Sequence, residues 1–163
     1  LKLEDFFTPD YLYDFFSELY GIPTDRRDAR KRMLFARFGI QEFAQVRVRA
    51  LSTGMKQKVS LVISLVQDPE IIIFDEPTNG LDILTAKVVT DFLLDLKEQG
   101  KTIIISTHIF NLVEKICDRV GIIINGRMAA CEDLRTLCGD KSLEDRFFEI
   151  YEAVNGEEEN HDK

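Results

Sequence analysis

The sequence predicts an α/β fold in which a helical front leads into a parallel sheet. Three observations carry that expectation. Apolar residues recur at helical spacing through the first 68 positions. Four apolar residues, Ile71-Ile72-Ile73-Phe74, then end abruptly in two carboxylates, Asp75 and Glu76. Beyond them, strand-like and helical patterns alternate as β-α-β-α-β and close on a hairpin, the order that builds a parallel sheet with right-handed crossovers.

The elements follow in chain order. Thr8-Pro9-Asp10 is a helix start: a capping hydroxyl, a proline in the first turn and an acid favoured by the helix dipole. Leu12, Phe15, Phe16, Leu19 and Tyr20 form its apolar stripe, and Gly21 and Pro23 end it. A second helix is expected from Thr24 to Phe38, with Met33, Leu34 and Phe38 inward and its arginines outward. The Arg26–Arg32 stretch reads as a solvated face, because Asp25 and Asp28 interleave with it. Val46–Leu51 reads as a connector. Met55, Val59, Val62, Ile63 and Val66 mark a third helix, closed by Asp68-Pro69.

The rear begins with Ile71–Phe74, whose continuous apolar character suits a strand buried on both faces. A helix with Val88, Val89, Phe92, Leu93 and Leu96 inward follows and stops at Gly100. Strand Thr102–Ser106, a short helix at Leu112, Val113 and Ile116, and strand Arg119–Ile124 come next. Asn125-Gly126 is the strongest short hairpin signal. Two helices are expected near Glu132–Leu137 and Ser142–Val154, then an unstructured acidic tail from Asn155.

Composition narrows the classes. The 163 residues suit one domain or part of one, and 45% apolar content is enough for a core. A net charge of −8, with no dominant Lys/Arg cluster, argues against a duplex-binding surface. Three widely spaced cysteines, Cys117, Cys131 and Cys138, with no CxxC, argue against a disulfide framework or zinc site. They are expected to be reduced thiols. No apolar stretch reaches the roughly 20 residues that span a bilayer, and no signal peptide is visible. The chain begins at Leu1, not Met, and reads as a piece of something longer.

Four segments concentrate the chemistry. Leu51-Ser52-Thr53-Gly54-Met55 opens a helix, where free amides form an anion site and Gly54 allows close backbone approach. Taken singly it reads as an ordinary capped helix. Asp75 and Glu76 fall at the carboxyl end of a strand, where open α/β sheets place ligands. Adjacent side chains on a strand point opposite ways, so one carboxylate can face a metal and the other a water, the layout that phosphoryl transfer needs. Their bland reading is a strand-end turn with surface acids. Pro77-Thr78-Asn79-Gly80-Leu81-Asp82 is a turn-rich loop with Asp82 as helix cap. Ser106-Thr107-His108 ends the next strand, expected on the same sheet edge as Glu76.

Together, and in this order, the four resemble the ATP-binding cassette (ABC) family, from about Leu1 to Cys138. LSTGMKQKV resembles the signature motif, IIIFDE the Walker B strand with its catalytic glutamate, NGLD the D-loop and STH the switch histidine. Thr53 and Met55 depart from the commonest signature, which has glycine and glutamine there; the LSTGM form is similar to exporter-type, sodium-extruding cassettes. No GxxxxGK[ST] occurs among the 163 residues, and Gly100-Lys101-Thr102 is a decoy followed by a strand. The phosphate loop and Q-loop glutamine are therefore expected upstream of Leu1, and this stretch by itself is expected to bind ATP weakly and not to turn it over.

The resemblance implies a P-loop NTPase (RecA-like) parallel-sheet core, its rear portion, preceded by an α-helical subdomain. Residues 1–68 would be the helical subdomain with the signature, 69–138 the Walker B, D-loop and switch part, 139–154 a C-terminal helix and 155–163 the tail. It implies an ATPase that couples ATP binding, hydrolysis and dimer closure to transport, in the export direction. Glu76 would act on the attacking water and His108 on the γ-phosphate. Asp75 would hold Mg²⁺, mostly through water. Ser52, Thr53, Gly54 and Met55 would cover ATP bound to a second nucleotide-binding subunit, with Asp82 near the seam. A transmembrane permease would be the other partner, the protein cytoplasmic and peripheral on the inner face of the membrane, with no nucleic acid bound. The rivals are a soluble ABC-type ATPase of DNA repair or translation, and a non-catalytic binding or regulatory module.

Overall fold

The computed structural model describes residues 5–161, and the side-chain surroundings of 5–156. Two compact units divide the chain between Ser106 and Thr107.

The first unit begins with α1 (Pro9–Leu19). The Thr8 hydroxyl accepts from the Tyr11 amide at 3.2 Å, as the Thr-Pro-Asp start predicts. Its buried face is Pro9, Leu12, Tyr13 and Ser17, however, and Phe15, Leu19 and Tyr20 of the expected stripe are exposed. The sequence period fits either face, and packing against the following helices selects the Leu12/Tyr13 side. Helix α2 spans Thr24–Phe38 as expected and ends at Gly39, whose φ of 65° is left-handed. Leu34 and Phe38 are buried with Phe35, whereas Met33 is exposed.

The α2 cations are not simply outward. The Arg30 guanidinium donates to the Leu65 carbonyl at 3.0 Å and lies 2.9 Å from Asp68. Lys31 pairs with Asp10 and, at 3.0 Å, with Asp14. Arg37 reaches Asp95 at 2.5 Å, and the Phe38 and Phe92 rings meet edge-on at 5.1 Å. These pairs tie α2 to the elements around it.

Two short 3₁₀ turns, Ile40–Phe43 and Val48–Ala50, carry the chain to α3 (Thr53–Ser64). Val59, Val62 and Ile63 of α3 are buried, as their spacing predicts. Strand β1 (Ile71–Asp75), helix α4 (Ile83–Glu98) and strand β2 (Thr102–Ser106) form one β-α-β unit. β1 and β2 pair in parallel, with Asp75 opposite Ser106. β1 is not buried on both faces: Ile72 and Phe74 are buried, while Ile71 and Ile73 are exposed. The apolar run marks two apolar faces, of which the described residues cover one. Lys101 pairs with Glu70 at 2.8 Å and Asp68 at 3.3 Å, a clamp on the strand starts and not a phosphate ligand.

The second unit runs from α5 (Phe110–Ile116) through β3 (Arg119–Ile124), β4 (Arg127–Asp133) and α6 (Leu134–Cys138) to α7 (Leu143–His161). Asn125 and Gly126, at φ 50° and 75°, make the expected hairpin turn. β3 therefore pairs antiparallel with β4 and, among the described residues, adds no third strand to the parallel pair. Ile122, Ile124, Leu137 and Leu143 form the core here. α7 continues past Val154 to His161, where an unstructured tail was expected; 162 and 163 lie outside the described residues. Glutamate is a good helix former, and the Asn155 side-chain oxygen Oδ1 accepts from the Asn125 side-chain amide at 3.2 Å, holding the helix to the hairpin turn. The three cysteines are free thiols. No helix among the described residues is long and apolar enough to cross a membrane.

Candidate functional site

The end of β1 organises the site. Asp75 is the last strand residue and its carboxylate accepts a hydrogen bond from the Ser106 hydroxyl on the neighbouring strand. The parallel register brings the two together, since it sets Asp75 opposite Ser106. Glu76 follows with φ at 46°, in the left-handed region that a non-glycine residue enters only when held there. Two hydrogen bonds hold it. Its amide donates to the Ser106 carbonyl at 3.0 Å, and its carbonyl accepts from the Asn79 amide at 3.1 Å. Such a conformation costs about 1–3 kcal/mol and concentrates at functional sites.

From there the chain turns through Pro77 and Thr78, both buried, to Gly80 at φ 71°. The Leu81 amide donates to the Thr78 carbonyl at 3.3 Å. Asp82 then caps α4, accepting from the Thr85 amide at 3.0 Å and the Thr85 hydroxyl at 2.7 Å. Those bonds, the amide first, hold its carboxyl below the usual carboxylate range. Ile83 and Leu84 beside it are 87% and 77% exposed, unusual for aliphatic side chains at a helix start.

Helix α3 opens on the same unit. The Ser52 hydroxyl accepts from the Met55 amide at 3.3 Å, a regular cap. Ser52 and Thr53 are exposed, and Gly54 and Met55 half-buried. A Cβ placed on Gly54 would lie 3.8 Å from Leu81, which is ordinary contact. The helix start thus approaches the loop before α4, a proximity that the linear sequence does not announce. No atom among the described residues requires the glycine.

His108 stands two residues beyond β2, in the second unit, and is exposed. The Thr107 hydroxyl before it accepts from the Ile109 amide at 3.2 Å, a local turn that presents the imidazole at the strand exit. Of the residues expected from sequence, Ser52 to Met55, Asp75, Glu76 and Asp82 belong to the first unit and His108 to the second. Two residues were missed: Ser106, the Asp75 partner, and Thr78, the buried centre of the loop. Ser106 could have been found by aligning the two strands at their carboxyl ends. No group of three or more His, Cys, Asp or Glu among the described residues forms a metal cluster. Asp75 alone, exposed and bearing hard oxygen donors, suits an ion that keeps most of its waters.

Comparison with known proteins agrees on the family. The family described as ABC transporter matches residues 4–79, which include the LSTGM segment and the β1 carboxylates. The chain is 39% identical over 131 residues to the ABC transporter ATP-binding protein NatA of Bacillus subtilis, covering 80% of this chain and 53% of that protein. It is 36% identical over 118 residues to a fluoroquinolones export ATP-binding protein of Mycobacterium tuberculosis, covering 72% of this chain and 38% of that one. The chain thus spans about half the length, or less, of these relatives. A solved structure, an ATP-binding subunit of an ABC transporter, superposes with a TM-score of 0.85 at 28% identity, over 91% of this chain and 64% of that one.

Proposed function

The chain belongs to the family of ABC transporter ATP-binding proteins, and on that premise we propose that it is the hydrolytic part of an export-type transporter subunit that binds and cleaves ATP. The observation that carries this reading is the strand-end pair: Asp75 fastened to Ser106, and Glu76 held at φ 46° by two backbone hydrogen bonds. A carboxylate on a strained, doubly hydrogen-bonded backbone beside a fixed carboxylate is a preorganised arrangement, and phosphoryl transfer relies on positioning and electrostatics more than on covalent chemistry.

In this reading Glu76 orients the attacking water and accepts its proton, and His108 meets the γ-phosphate. Asp75 offers an oxygen to Mg²⁺ through water, and the ion, when bound, neutralises phosphate charge. Ser52, Thr53, Gly54 and Met55 cover the γ-phosphate of ATP held by a second nucleotide-binding subunit. The ordinary 3.8 Å contact that a Cβ on Gly54 would make with Leu81 supports that role, because nothing among the described residues demands a residue without Cβ there. Asp82 sits at the seam between subunits, which the exposed Ile83 and Leu84 beside it support. The helical front faces a transmembrane permease, and the exposed Tyr11, Phe15 and Leu19 of α1 offer an apolar surface for it. The protein then lies on the inner face of the membrane. Relatives named for export favour transport over DNA repair or translation.

The test is Glu76→Gln in the full-length protein. ATP binding is expected to persist while turnover falls by a factor on the order of 10² to 10⁴, the range for loss of a general base. Undiminished hydrolysis would remove Glu76 from this role.

A further inference from the structure

Among the described residues of the first unit, four serine and threonine side chains are buried: Ser17, Thr78, Thr85 and Thr90. Three are bonded. Ser17 donates to the Tyr13 carbonyl at 2.7 Å, Thr90 to the Ala86 carbonyl at 2.8 Å and Thr85 to the Asp82 carboxylate at 2.7 Å. Thr78 differs: the residue is 7% exposed, and its hydroxyl has no hydrogen-bond partner among the described residues. A buried hydroxyl without a partner forfeits its hydration and gains nothing in return. Such a group in a native fold calls for an explanation.

The neighbourhood supplies one. Thr78 lies two residues after Glu76 in the same loop. The backbone here is already pinned: the Glu76 carbonyl takes the Asn79 amide and the Thr78 carbonyl takes the Leu81 amide. Glu76 itself is strained at φ 46°. A strained Glu76 backbone and an unbonded Thr78 hydroxyl, two unfavourable features, thus fall within three residues of a loop whose backbone is otherwise well bonded. The hydroxyl gains the bond it lacks if it meets the Glu76 carboxylate in another state of the site.

We propose that Thr78 is a positioning residue for Glu76: its buried hydroxyl donates to the Glu76 carboxylate when ATP is bound and fixes the direction in which that carboxylate meets the attacking water. This rests on the hydrolytic role given to Glu76. The other carboxylate oxygen remains available to accept the proton from water.

The experiment compares Thr78→Val and Thr78→Ser with the wild type in the full-length protein, by kcat and KM for ATP and by thermal melting. For Thr78→Val, kcat is expected to fall about ten- to a hundredfold, the order of one hydrogen bond to a charged group, with KM for ATP changed less than about twofold. The melting temperature should hold or rise, because an unbonded hydroxyl becomes a methyl of the same shape. Thr78→Ser should restore turnover to within about twofold. Unchanged kcat in Thr78→Val overturns the inference. So does a fall in kcat with a lowered melting temperature that serine does not rescue, which marks a packing role. A wild type without ATPase activity, or a Glu76→Gln protein with full turnover, removes the function itself. An active wild type with an unchanged Thr78→Val removes only the role given to Thr78.

Discussion

The helical front and the loop after β1 each bury a hydroxyl with no partner among the described residues, on Tyr13 and on Thr78. In the front, Tyr13 lies in the middle of a regular helix and packs edge-on against Phe35 at 5.6 Å. Its ring fills the core, and burial, tempered by the Arg30 charge, pushes its pKa up to about 12. In the loop, Thr78 contributes little volume and stands beside a left-handed Glu76. The same unfavourable feature therefore has two meanings. Around Tyr13 it accompanies a large apolar gain. Around Thr78 it coincides with backbone strain and two candidate carboxylates, which is the pattern of a segment shaped by chemistry more than by stability.

Three substitutions sharpen or break that contrast. The largest effect is expected from Leu34→Ala in α2, fully buried in the same helical front as Tyr13 and Phe35. It should lower unfolding stability by about 2–5 kcal/mol, read from the urea midpoint at constant slope. A loss below about 1 kcal/mol would mean the front is not the rigid scaffold that the contrast assumes. A smaller loss of melting temperature is expected from Asp82→Ala, which removes the α4 cap at the loop's far end. The Asp82 carboxyl is held below its ordinary 3.8, so its contribution is present above that value and lost as pH falls through the lowered one. The gap between wild type and Asp82→Ala should therefore close in acid; a gap independent of pH contradicts the cap geometry.

The smallest effect is expected from Tyr13→Phe. Near pH 7 its stability should match or slightly exceed the wild type, because no hydrogen bond is lost. In alkali the sign is fixed by the raised pKa. The unfolded tyrosine ionises near 10 while the folded one holds its proton to about 12, so the wild type loses stability as pH rises through that window. Tyr13→Phe should lose less there by chemical denaturation. Tyr13→Phe and Thr78→Val should then look alike in melting experiments at neutral pH and differ only in turnover.

Much of this was legible in the order of residues. The bounds of α2, β2 and β3 follow from periodicity and from Gly39, Gly100 and Asn125-Gly126, because stop signals and turn chemistry are local. The Thr8, Ser52 and Asp82 caps were equally readable, since each acts within three residues of itself. Faces were not. Phe15 and Leu19 share a helical stripe with Leu12, yet only Leu12 is buried, because which side of α1 is covered depends on where α2 and α3 lie. The apolar β1 run gave no sign that Ile71 and Ile73 stand exposed.

By itself the sequence determined the family motifs, the parallel β-α-β unit and the identity of the strand-end carboxylates, all of which are encoded in short spacings. Only the tertiary structure decided that Asp75 bonds Ser106 across the parallel register, that Gly54 comes within contact of Leu81, that Glu76 is held left-handed, and that Thr78 is buried unbonded beside it. The physical reason is that these are relations between residues distant in sequence, or backbone states imposed by neighbours. Local propensity opposes the one at Glu76 and is silent about the rest.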